Sequence, residues 1–494
     1  MWLVPLTLAS SLVPAVLLLL LSEGRRAARL TVGLVALGAL TTLTLVGALL
    51  VGVARGARHE WRVEFVADLD LLLRAEPLSL LLACLAAVLF LVTALYTLGY
   101  LEASPRRTHF LGYLGLCAGA TIGVALAGNP ITFLVFSELL TVAAYPLVVH
   151  HGSDAALAAG KRFLLYSLAG GGVLLVGIVW LHLLAGPVEF AAGGVLAGES
   201  SRAQLTAVFA LLIVGLGVKI AFVPLHLWLP GAHAIAPGPA SAFLSGLAVK
   251  AGAFGVARVV YDLYGVQLAR HLGLLEPLAG VAAVTIMYGS VRALTEDALK
   301  RRLAYSTVSQ LSYVALAVAV AGPLAATGGL AHLVHLGAMK ATMFYCAGNL
   351  ARTLGLHRVG ELRGVGRRMP WTMAAFTVAA FGMIGVPPMA GFVSKWALAL
   401  GALEAGAGGL VIPVLVGSSL LNAAYFLPIV YRAWFAEPDT RWADRDAGGR
   451  SEASLPLLIP PVATAALVLL AGVLAGAALS PLSWAAFVAQ GVFG

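Results

Sequence analysis

Residues 207–233 read AVFALLIVGLGVKIAFVPLHLWLPGAH, an apolar run that is interrupted by Lys219, Pro224 and Pro230. An apolar run of this length predicts a membrane-spanning helix, because one crossing needs roughly 20 residues. Proline removes a backbone donor inside a helix, and the carbonyls that it frees need new partners such as water or a cation. The stretch therefore predicts a broken membrane helix with a lysine beside the break, which is typical of an ion-transport site.

A second run, residues 370–402, has the same character. It contains Gly385, Pro387 and Pro388, and Lys395 follows this break. The two broken segments are the seventh and the twelfth predicted crossings, and their odd separation of five crossings favours an inverted repeat over a parallel one. The predicted repeats are crossings four to eight and nine to thirteen.

The composition extends this interpretation to the whole chain. Hydrophobic residues make up 61% of the 494 residues and charged residues only 11%, which predicts an all-α, polytopic membrane protein and leaves no segment for a soluble domain. About fourteen crossings are predicted, near residues 3–21, 30–53, 78–101, 110–127, 131–149, 163–184, 205–225, 239–261, 273–291, 303–320, 328–350, 370–402, 410–431 and 455–479. The predicted parts are 1–109 (helices 1–3), 110–261 (the first repeat), 273–431 (the second repeat) and 455–494 (helix 14). The first apolar run is interpreted as a retained helix, with a cleaved signal peptide as the alternative.

Several classes of cofactor site are disfavoured. Cys84, Cys117 and Cys346 each lie in apolar runs, without a CxxC motif or a Cys/His cluster, and no Gly-rich phosphate loop is present. We therefore expect no cofactor and no metal in this chain. The formal net charge of +9 is better explained by membrane topology than by nucleic acid, because the basic residues cluster in short loops.

The loop charges predict the orientation. The basic residues that follow odd-numbered crossings are Arg25, Arg26, Arg106, Arg107, Lys161, Arg162, Lys300, Arg301, Arg302, Arg363, Arg367, Arg368 and Arg432. The positive-inside rule places these loops in the cytoplasm and both termini on the other side of an inner (plasma) membrane. The second loop, residues 54–76, mixes both signs of charge and is predicted to be external.

Six ionisable residues lie inside predicted crossings and are the candidate site: Glu138, Lys219, Lys250, His335, Lys340 and Lys395. A charge at the bilayer centre costs roughly 2.5–3.5 kcal/mol on insertion scales, so an ion path is the economical interpretation. The alternatives are a static Glu138–Lys219 ion pair, a snorkelling Lys250, an interfacial anchor at Lys395 and a hydrogen-bonded core histidine at His335. His332, His226 and His233, and the polar residues Tyr305, Ser306, Ser309 and Gln310, are second-rank candidates for lining the path.

Several spaced motifs, in order, resemble the antiporter-like subunits of respiratory complex I, membrane-bound hydrogenases and Mrp-type Na+/H+ antiporters. They are FSE (136–138), KIAFVPLHLWLPGAHAIAPGPASAFLSGLAVK (219–250), LKRRLAYSTVSQLSY (299–313), HLGAMK (335–340) and PPMAGFVSK (387–395). The resemblance implies that Glu138 and Lys219 form a switch, that Lys250 is the central lysine and that Lys395 is the terminal site. Gly231 stands where the family often has Asp, and Val334 stands where it often has Asn.

The lysine at position 395 looks more like the D-type Mrp subunit or the complex I subunit next to the quinone arm. The resemblance therefore implies a proton-translocating subunit of a hetero-oligomeric complex, and it leaves open whether H+ is exchanged for Na+. The alternatives are a membrane-arm subunit of a complex I-like NADH:quinone oxidoreductase or hydrogenase, and a stand-alone solute transporter. Any redox catalysis would belong to partner subunits, since the sequence shows no redox motif.

Overall fold

The computed structural model describes residues 2–21, 25–66, 69–104, 106–196, 201–438 and 451–494. The side chains of Arg25 and Arg26, which entered the orientation argument, lie outside this description. Helices dominate the described chain, which confirms the predicted all-helical membrane architecture. Twelve described segments are long and apolar enough to cross a membrane.

Each of the fourteen predicted crossings coincides with a helix or a broken helix. The two that are absent from the twelve are the polar eleventh and the broken twelfth, so the count of fourteen stays a prediction. The first helices are α1 (Leu3–Leu20), α2 (Arg25–Ala54), α3 (Pro77–Tyr100), α4 (Arg107–Leu126), α5 (Pro130–Val148) and α6 (Asp154–Ala185).

The second loop forms a two-stranded antiparallel hairpin, which is an addition to the predicted helical fold. Strand β1 (His59–Val66) pairs with β2 (Leu69–Ala75). Arg74 donates to Glu189 at 2.5 Å, which connects the hairpin to the loop that follows α6. The second and sixth loops therefore lie at the same end of the bundle, as the even-numbered loops of the predicted topology require.

Both predicted breaks are present. Helix α7 (Arg202–Ile220) stops where Ala221 takes a left-handed conformation (φ 63°), and α8 (Trp228–Ile235) resumes the segment. The indole of Trp228 donates to the carbonyl of Val218 at 2.9 Å, so the break is partly capped from within. The eighth crossing then follows as α9 (Gly238–Phe243), a π-helical stretch at Leu244–Ala248, α10 (Lys250–Ala257) and a second π-helical stretch at Arg258–Tyr264.

The second half contains the other broken segment and a long helix, α14 (Pro323–Leu354). Its elements are α11 (Val266–His271), α12 (Leu275–Thr295), α13 (Leu299–Val320), α14 (Pro323–Leu354), a 3₁₀ turn at Val359–Glu361, α15 (Val365–Arg368), α16 (Pro370–Ile384), α17 (Ala390–Glu404) and α18 (Gly408–Phe435). Gly385 (φ 96°) ends α16, and α17 resumes the broken segment. Helix α14 packs against α13, α16 and α17, which places its polar residues inside the bundle.

The C-terminal part contains two helices, where the sequence predicted one. Helix α19 (Leu455–Val473) is followed by α20 (Pro481–Phe493), whose first turn is capped by the hydroxyl of Ser480 accepting from the Ser483 amide. Trp484 in α20 donates to the carbonyl of Pro77 at 2.8 Å, so α20 packs against the start of α3.

Candidate functional site

Glu138 and Lys219 form a direct ion pair between α5 and α7. The Lys219 amine donates to Glu138 Oε1 at 2.9 Å and to the hydroxyl of Thr141 at 3.3 Å. Lys219 is buried, whereas 28% of the Glu138 side chain is exposed. Lys219 lies in the last turn of α7, where the negative end of the helix dipole also favours a cation. The break in the seventh crossing thus places a charged amine inside the bundle with a carboxylate at its margin.

Two glycines allow this close packing. A Cβ added at Gly171 in α6 would lie 2.6 Å from the carboxyl carbon of Glu138, so that carboxylate rests directly on the α6 backbone. A Cβ added at Gly252 in α10 would lie 2.6 Å from the amide nitrogen of Ile220 and 2.9 Å from the carbonyl carbon of Lys219. The end of α7 is therefore held against α10, the helix that begins with Lys250.

A small cavity lies beside the ion pair. Its volume is about 40 Å³, and its lining includes Lys219, Ser137 and Thr141 on one side and Ala248 and Val249, which precede Lys250, on the other. A volume of this size holds roughly two or three water molecules, and the buried hydroxyl of Ser137 has no hydrogen-bond partner in the described part of the chain. The cavity leaves room for water between Lys219 and the eighth crossing.

Lys250 is fully buried and is held by the π-helical stretch before it. Its amine donates to the carbonyl of Ser245, five residues earlier in the chain. A π-helical turn changes the hydrogen-bonding register of the backbone, and such turns are frequent at functional sites. The local geometry therefore keeps the amine inside the protein, where its contacts are with neutral oxygen atoms.

Neighbouring polar residues lie between Lys250 and Lys340, with Ser245 contacting Lys250 through its carbonyl and Thr307 through its hydroxyl. The hydroxyls of Ser245 and Thr307 lie 2.8 Å apart, and Thr307 donates to the carbonyl of Leu303 at 3.0 Å. The same carbonyl accepts from the Lys340 amine at 3.0 Å, and Lys340 also donates to the hydroxyl of Ser306. These contacts bring together residues of the eighth, tenth and eleventh crossings.

Helix α13 contacts Lys340 of α14, and further polar residues follow along the same face of α13. Ser306, Gln310 and Tyr313 follow one another at helical spacing, and the buried Gln310 amide and Tyr313 hydroxyl have no hydrogen-bond partner among the residues that the structure describes. The ring of His332 stacks on Tyr313, with the ring centroids 5.3 Å apart. The Lys395 amine lies 5.2 Å from the centroid of the same tyrosine ring. This face of α13 therefore connects Lys340 with Lys395.

Lys395 lies in α17, and its amine reaches the C-terminal end of α16, the first half of the broken twelfth crossing. Its amine donates to the carbonyls of Met383 and Ile384, the last two residues of α16, at 2.7 and 3.2 Å, and to the hydroxyl of Ser419 at 3.3 Å. The break at Gly385 frees these carbonyls, and the negative end of the helix dipole favours the ammonium group there. In both broken crossings, a lysine amine thus lies at the C-terminal end of the first half-helix.

The structure separates the two histidines of α14. Nδ1 of His332 lies 2.9 Å from the hydroxyl of Ser394, the residue before Lys395, so His332 belongs to the terminal cluster. His335 is buried, neither of its ring nitrogens has a hydrogen-bond partner among the described residues, and it lines a separate apolar cavity. Of the other candidates, Ser306 joins the lysine path, whereas Ser309 bonds to Ser290 at 2.8 Å as a link between helices.

Sequence analysis missed a buried charge cluster at the hairpin end of the bundle. Arg258 donates to Glu76 at 2.7 Å, to Asp262 at 2.6 Å and to the hydroxyl of Ser79 at 2.8 Å. Arg258 and Asp262 are four residues apart in an apolar run, a pattern that could have been recognised as an intramembrane pair. The cluster joins the start of α3 to the end of the eighth crossing.

Within the described ranges, no group of three or more His, Cys, Asp or Glu side chains is arranged to bind a metal ion. The three cysteines are unpaired.

A model of the transmembrane family described as NADH:quinone oxidoreductase/Mrp antiporter matches residues 127–421. The chain is 35% identical to NADH-quinone oxidoreductase subunit N of Desulforudis audaxviator, over 76% of this chain and 73% of that protein. It is 26% identical to the D-type subunit of a Na+/H+ antiporter of Bacillus subtilis, over 76% of both chains. Some relatives are longer: the chain spans only 52% of Hydrogenase-4 component B of Escherichia coli, to which it is 31% identical over 70% of its own length.

Among solved structures, a chain of the Mrp complex from Dietzia sp. DQ12-45-1b superposes with a TM-score of 0.85. The two chains share 25% sequence identity, and the match covers 100% of this chain and 99% of that one. The similarity thus includes the N-terminal and C-terminal helices that lie outside the region matched by the family model.

Proposed function

Because the chain belongs to the NADH:quinone oxidoreductase/Mrp antiporter transmembrane family, we propose that it translocates protons as one membrane subunit of a multisubunit complex. The proposed carriers are Glu138, Lys219, Lys250, Lys340 and Lys395. His332 joins this relay beside Lys395, and His335 is a buried further candidate one turn away on α14, beside an apolar cavity. The observation that carries the proposal is the row of buried amines that begins at the Glu138–Lys219 ion pair and continues with Lys250, Lys340 and Lys395. Ser245, Thr307 and the Leu303 carbonyl lie between Lys250 and Lys340.

The chemistry of these contacts suits proton transfer. Low dielectric surroundings disfavour the charged form of a lysine, and a neighbouring carboxylate favours it. When Glu138 is close to Lys219, a proton is held there; when the pair separates, the proton is released towards Lys250. The cavity between Lys219 and the start of α10 supplies room for the water that this transfer needs. The final step leads along α13 to Lys395.

The repeats and the orientation belong to this proposal. Residues 110–261 and 273–431 form the two inverted repeats, each with one broken helix, after the N-terminal helices of 1–109 and before the C-terminal helices of 455–494. Protons enter from the cytoplasm near the broken seventh crossing and leave by Lys395, and both termini lie outside the cytoplasm. Glu138, at the margin of the bundle, couples this subunit to its neighbour.

The proposed complex is an Mrp-type cation/proton antiporter that exchanges H+ for Na+, and this chain is its D-type member. The near-complete superposition on a chain of an Mrp complex supports this assignment. A complex I-like NADH:quinone oxidoreductase or a hydrogenase is the second candidate, and the 35% identity to a subunit N favours it. Purification of the intact complex in mild detergent distinguishes them: small hydrophobic subunits favour the antiporter, whereas iron–sulfur, flavin or nickel subunits assign this chain to a redox enzyme.

The relay itself is tested in the intact complex with Lys219→Ala and Lys395→Ala. Each change removes an amine from the proposed path, so H+ transport into proteoliposomes should fall to background while the complex still assembles. Lys161→Ala is the matched control, because Lys161 is exposed on α6. Normal transport by either buried-lysine variant would remove that lysine from the path, and normal transport by both would favour a stand-alone solute transporter.

A further inference from the structure

An asparagine and a tyrosine of α18 lie beside the terminal lysine, and no step of the proposed relay uses them. The Asn422 amide donates to the carbonyl of Met383 at 3.2 Å, and the same carbonyl accepts from the Lys395 amine at 2.7 Å. The hydroxyl of Tyr425 donates to Oδ1 of Asn422, and both side chains are fully buried. The shared carbonyl thus keeps the Asn422 amide within about 6 Å of the Lys395 amine.

The contacts of Asn422 determine which way its amide points. A carbonyl oxygen can only accept a hydrogen bond, so the NH2 group faces Met383 and the amide oxygen faces the hydroxyl of Tyr425. The backbone of Tyr425 is held in turn, because the buried guanidinium of Arg302 donates to its carbonyl at 2.9 Å. The positive end of the amide dipole is therefore directed at the end of α16, where the lysine amine also binds.

The other neighbours of Lys395 supply no charge that would balance an ammonium group. Helix α17 packs against α13, α14, α16, α18 and α19. The titratable groups near Lys395 on these helices are Tyr313 of α13, His332 of α14 and Tyr425 of α18, whereas α16 and α19 contain none. Helix α17 itself adds only Glu404, which is exposed at its C-terminal end. Fixed dipoles therefore decide how readily the Lys395 amine gains or loses a proton.

From the shared carbonyl and the fixed amide, we propose that Asn422, oriented by Tyr425, sets the proton affinity of Lys395 and eases proton release there. The NH2 group of Asn422 competes with the ammonium group for the Met383 carbonyl and directs a positive dipole end towards it, and both effects disfavour the charged amine. Asn422 and Tyr425 are positioning residues, since neither carries the proton. The inference rests on the proposed function, because it concerns the last carrier of that relay.

A second tyrosine–asparagine–carbonyl arrangement, away from the lysines, provides matched controls. The hydroxyl of Tyr96 donates to Oδ1 of Asn349 at 2.9 Å, and the Asn349 amide donates to the carbonyl of Leu457 at 2.9 Å. Both side chains are fully buried, and Asn349 lies nine residues from Lys340, about 13 Å along α14. If the role of these residues were only structural, the same substitution would have the same effect at both places.

Asn422→Asp tests the proposal in the intact complex, with H+ transport into proteoliposomes measured as a function of pH. A carboxylate within about 6 Å favours the charged amine, so a higher pH is needed for release. Coulomb's law at an effective dielectric constant of 20 moves the rising limb of the profile upwards by about two pH units. Asn349→Asp should leave the profile unchanged. An unshifted profile in Asn422→Asp, or an equal shift in both variants, would overturn the proposal.

Tyr425→Phe is the second test if the aspartate variant fails to assemble. It keeps the ring and removes the hydroxyl, so the Asn422 amide is free to turn its oxygen towards the amine, and the profile should move in the same direction by a smaller amount. Tyr96→Phe is its control and should not move the profile. Loss of transport in Lys395→Ala together with unshifted profiles would refute this inference alone, whereas normal transport in Lys395→Ala would refute the last carrier and this inference with it.

Discussion

Because the Glu138 carboxylate packs on Gly171 of α6, the substitution Gly171→Ala tests whether the position of this carboxylate controls transport. In Gly171→Ala the new methyl group would lie 2.6 Å from the carboxyl carbon of Glu138, whereas an ordinary contact begins near 3.4 Å. The carboxylate must therefore retreat by about 0.8 Å. It is the far end of a flexible side chain, and alanine is the better helix former, so we expect the variant to fold and assemble normally.

The retreat weakens the ion pair measurably. If the Lys219–Glu138 distance of 2.9 Å lengthens by that amount, the atoms pass beyond hydrogen-bonding range. Coulomb's law at an effective dielectric constant of 20 gives a loss of about 1 kcal/mol, and the charge-assisted hydrogen bond adds roughly 1.5–3 kcal/mol. Since about 1.4 kcal/mol is a factor of ten in an equilibrium constant, the closed ion pair should be populated at least about 10-fold less, and H+ transport that depends on it should fall by a similar factor.

Initial rates of H+ uptake into proteoliposomes, measured with the intact complex, are the assay. Gly172→Ala is the matched control, because it is the next residue of the same helix and an added Cβ there meets nothing within 4 Å. Wild-type rates in Gly171→Ala, in a complex assembled to the wild-type level, would refute the argument that the position of this carboxylate controls transport. Equal losses in both variants would assign the effect to the α6 backbone instead.

Two further predictions follow from the hydroxyl contacts and the hairpin. Thr307→Val removes the link to Ser245 while keeping the shape, so transport should fall severalfold, whereas Thr295→Val at an exposed site should not change it; wild-type transport in the first variant would exclude the hydroxyl from the path. Burial acts to raise the pKa of Glu189, but hydrogen bonds from Arg74 and Arg62 outweigh it and hold the pKa below its ordinary value. The contact between the hairpin and the loop that follows α6 is therefore stabilised above roughly pH 4.5, and this stabilisation is lost as the pH falls through the depressed pKa of Glu189. The protection factors of the amides of residues 59–66, which correct for the intrinsic pH dependence of exchange, should fall at pH 3, and this effect should vanish in Glu189→Gln.

The sequence was sufficient to predict the helical architecture, both breaks and the buried lysines, because each of these features violates a strong local rule. An amine in an apolar run and a proline in a helix are costly wherever they occur. The partners of the lysines were not predictable in the same way. Ser245 and Thr307 are ordinary hydroxyl residues that also serve as links between helices, and only the tertiary packing brings them together.

Other features left a local signal that was overlooked. Residues 59–66, HEWRVEFV, alternate polar and apolar side chains, which is the period of a half-buried strand. Ser480 followed by Pro481 is a helix-start signal and precedes the extra helix α20. The different positions of His332 and His335 left no such signal. Three residues separate them on one helix, and only the neighbours supplied by α13 and α17 distinguish their roles.

The four lysines of the proposed path differ in whether a carboxylate lies beside the amine, and this difference predicts different roles. Within the described ranges, Lys219 alone has a carboxylate partner; the amines of Lys250, Lys340 and Lys395 contact carbonyl and hydroxyl oxygens. Neutral oxygens accept a hydrogen bond from a lysine in either protonation state, whereas a carboxylate favours only the charged state. Three of the amines can therefore change charge without losing a partner, and the distance between Glu138 and Lys219 decides when a proton leaves the first. It follows that displacement of Glu138 should change how transport is coupled, while removal of a hydroxyl farther along should only slow it.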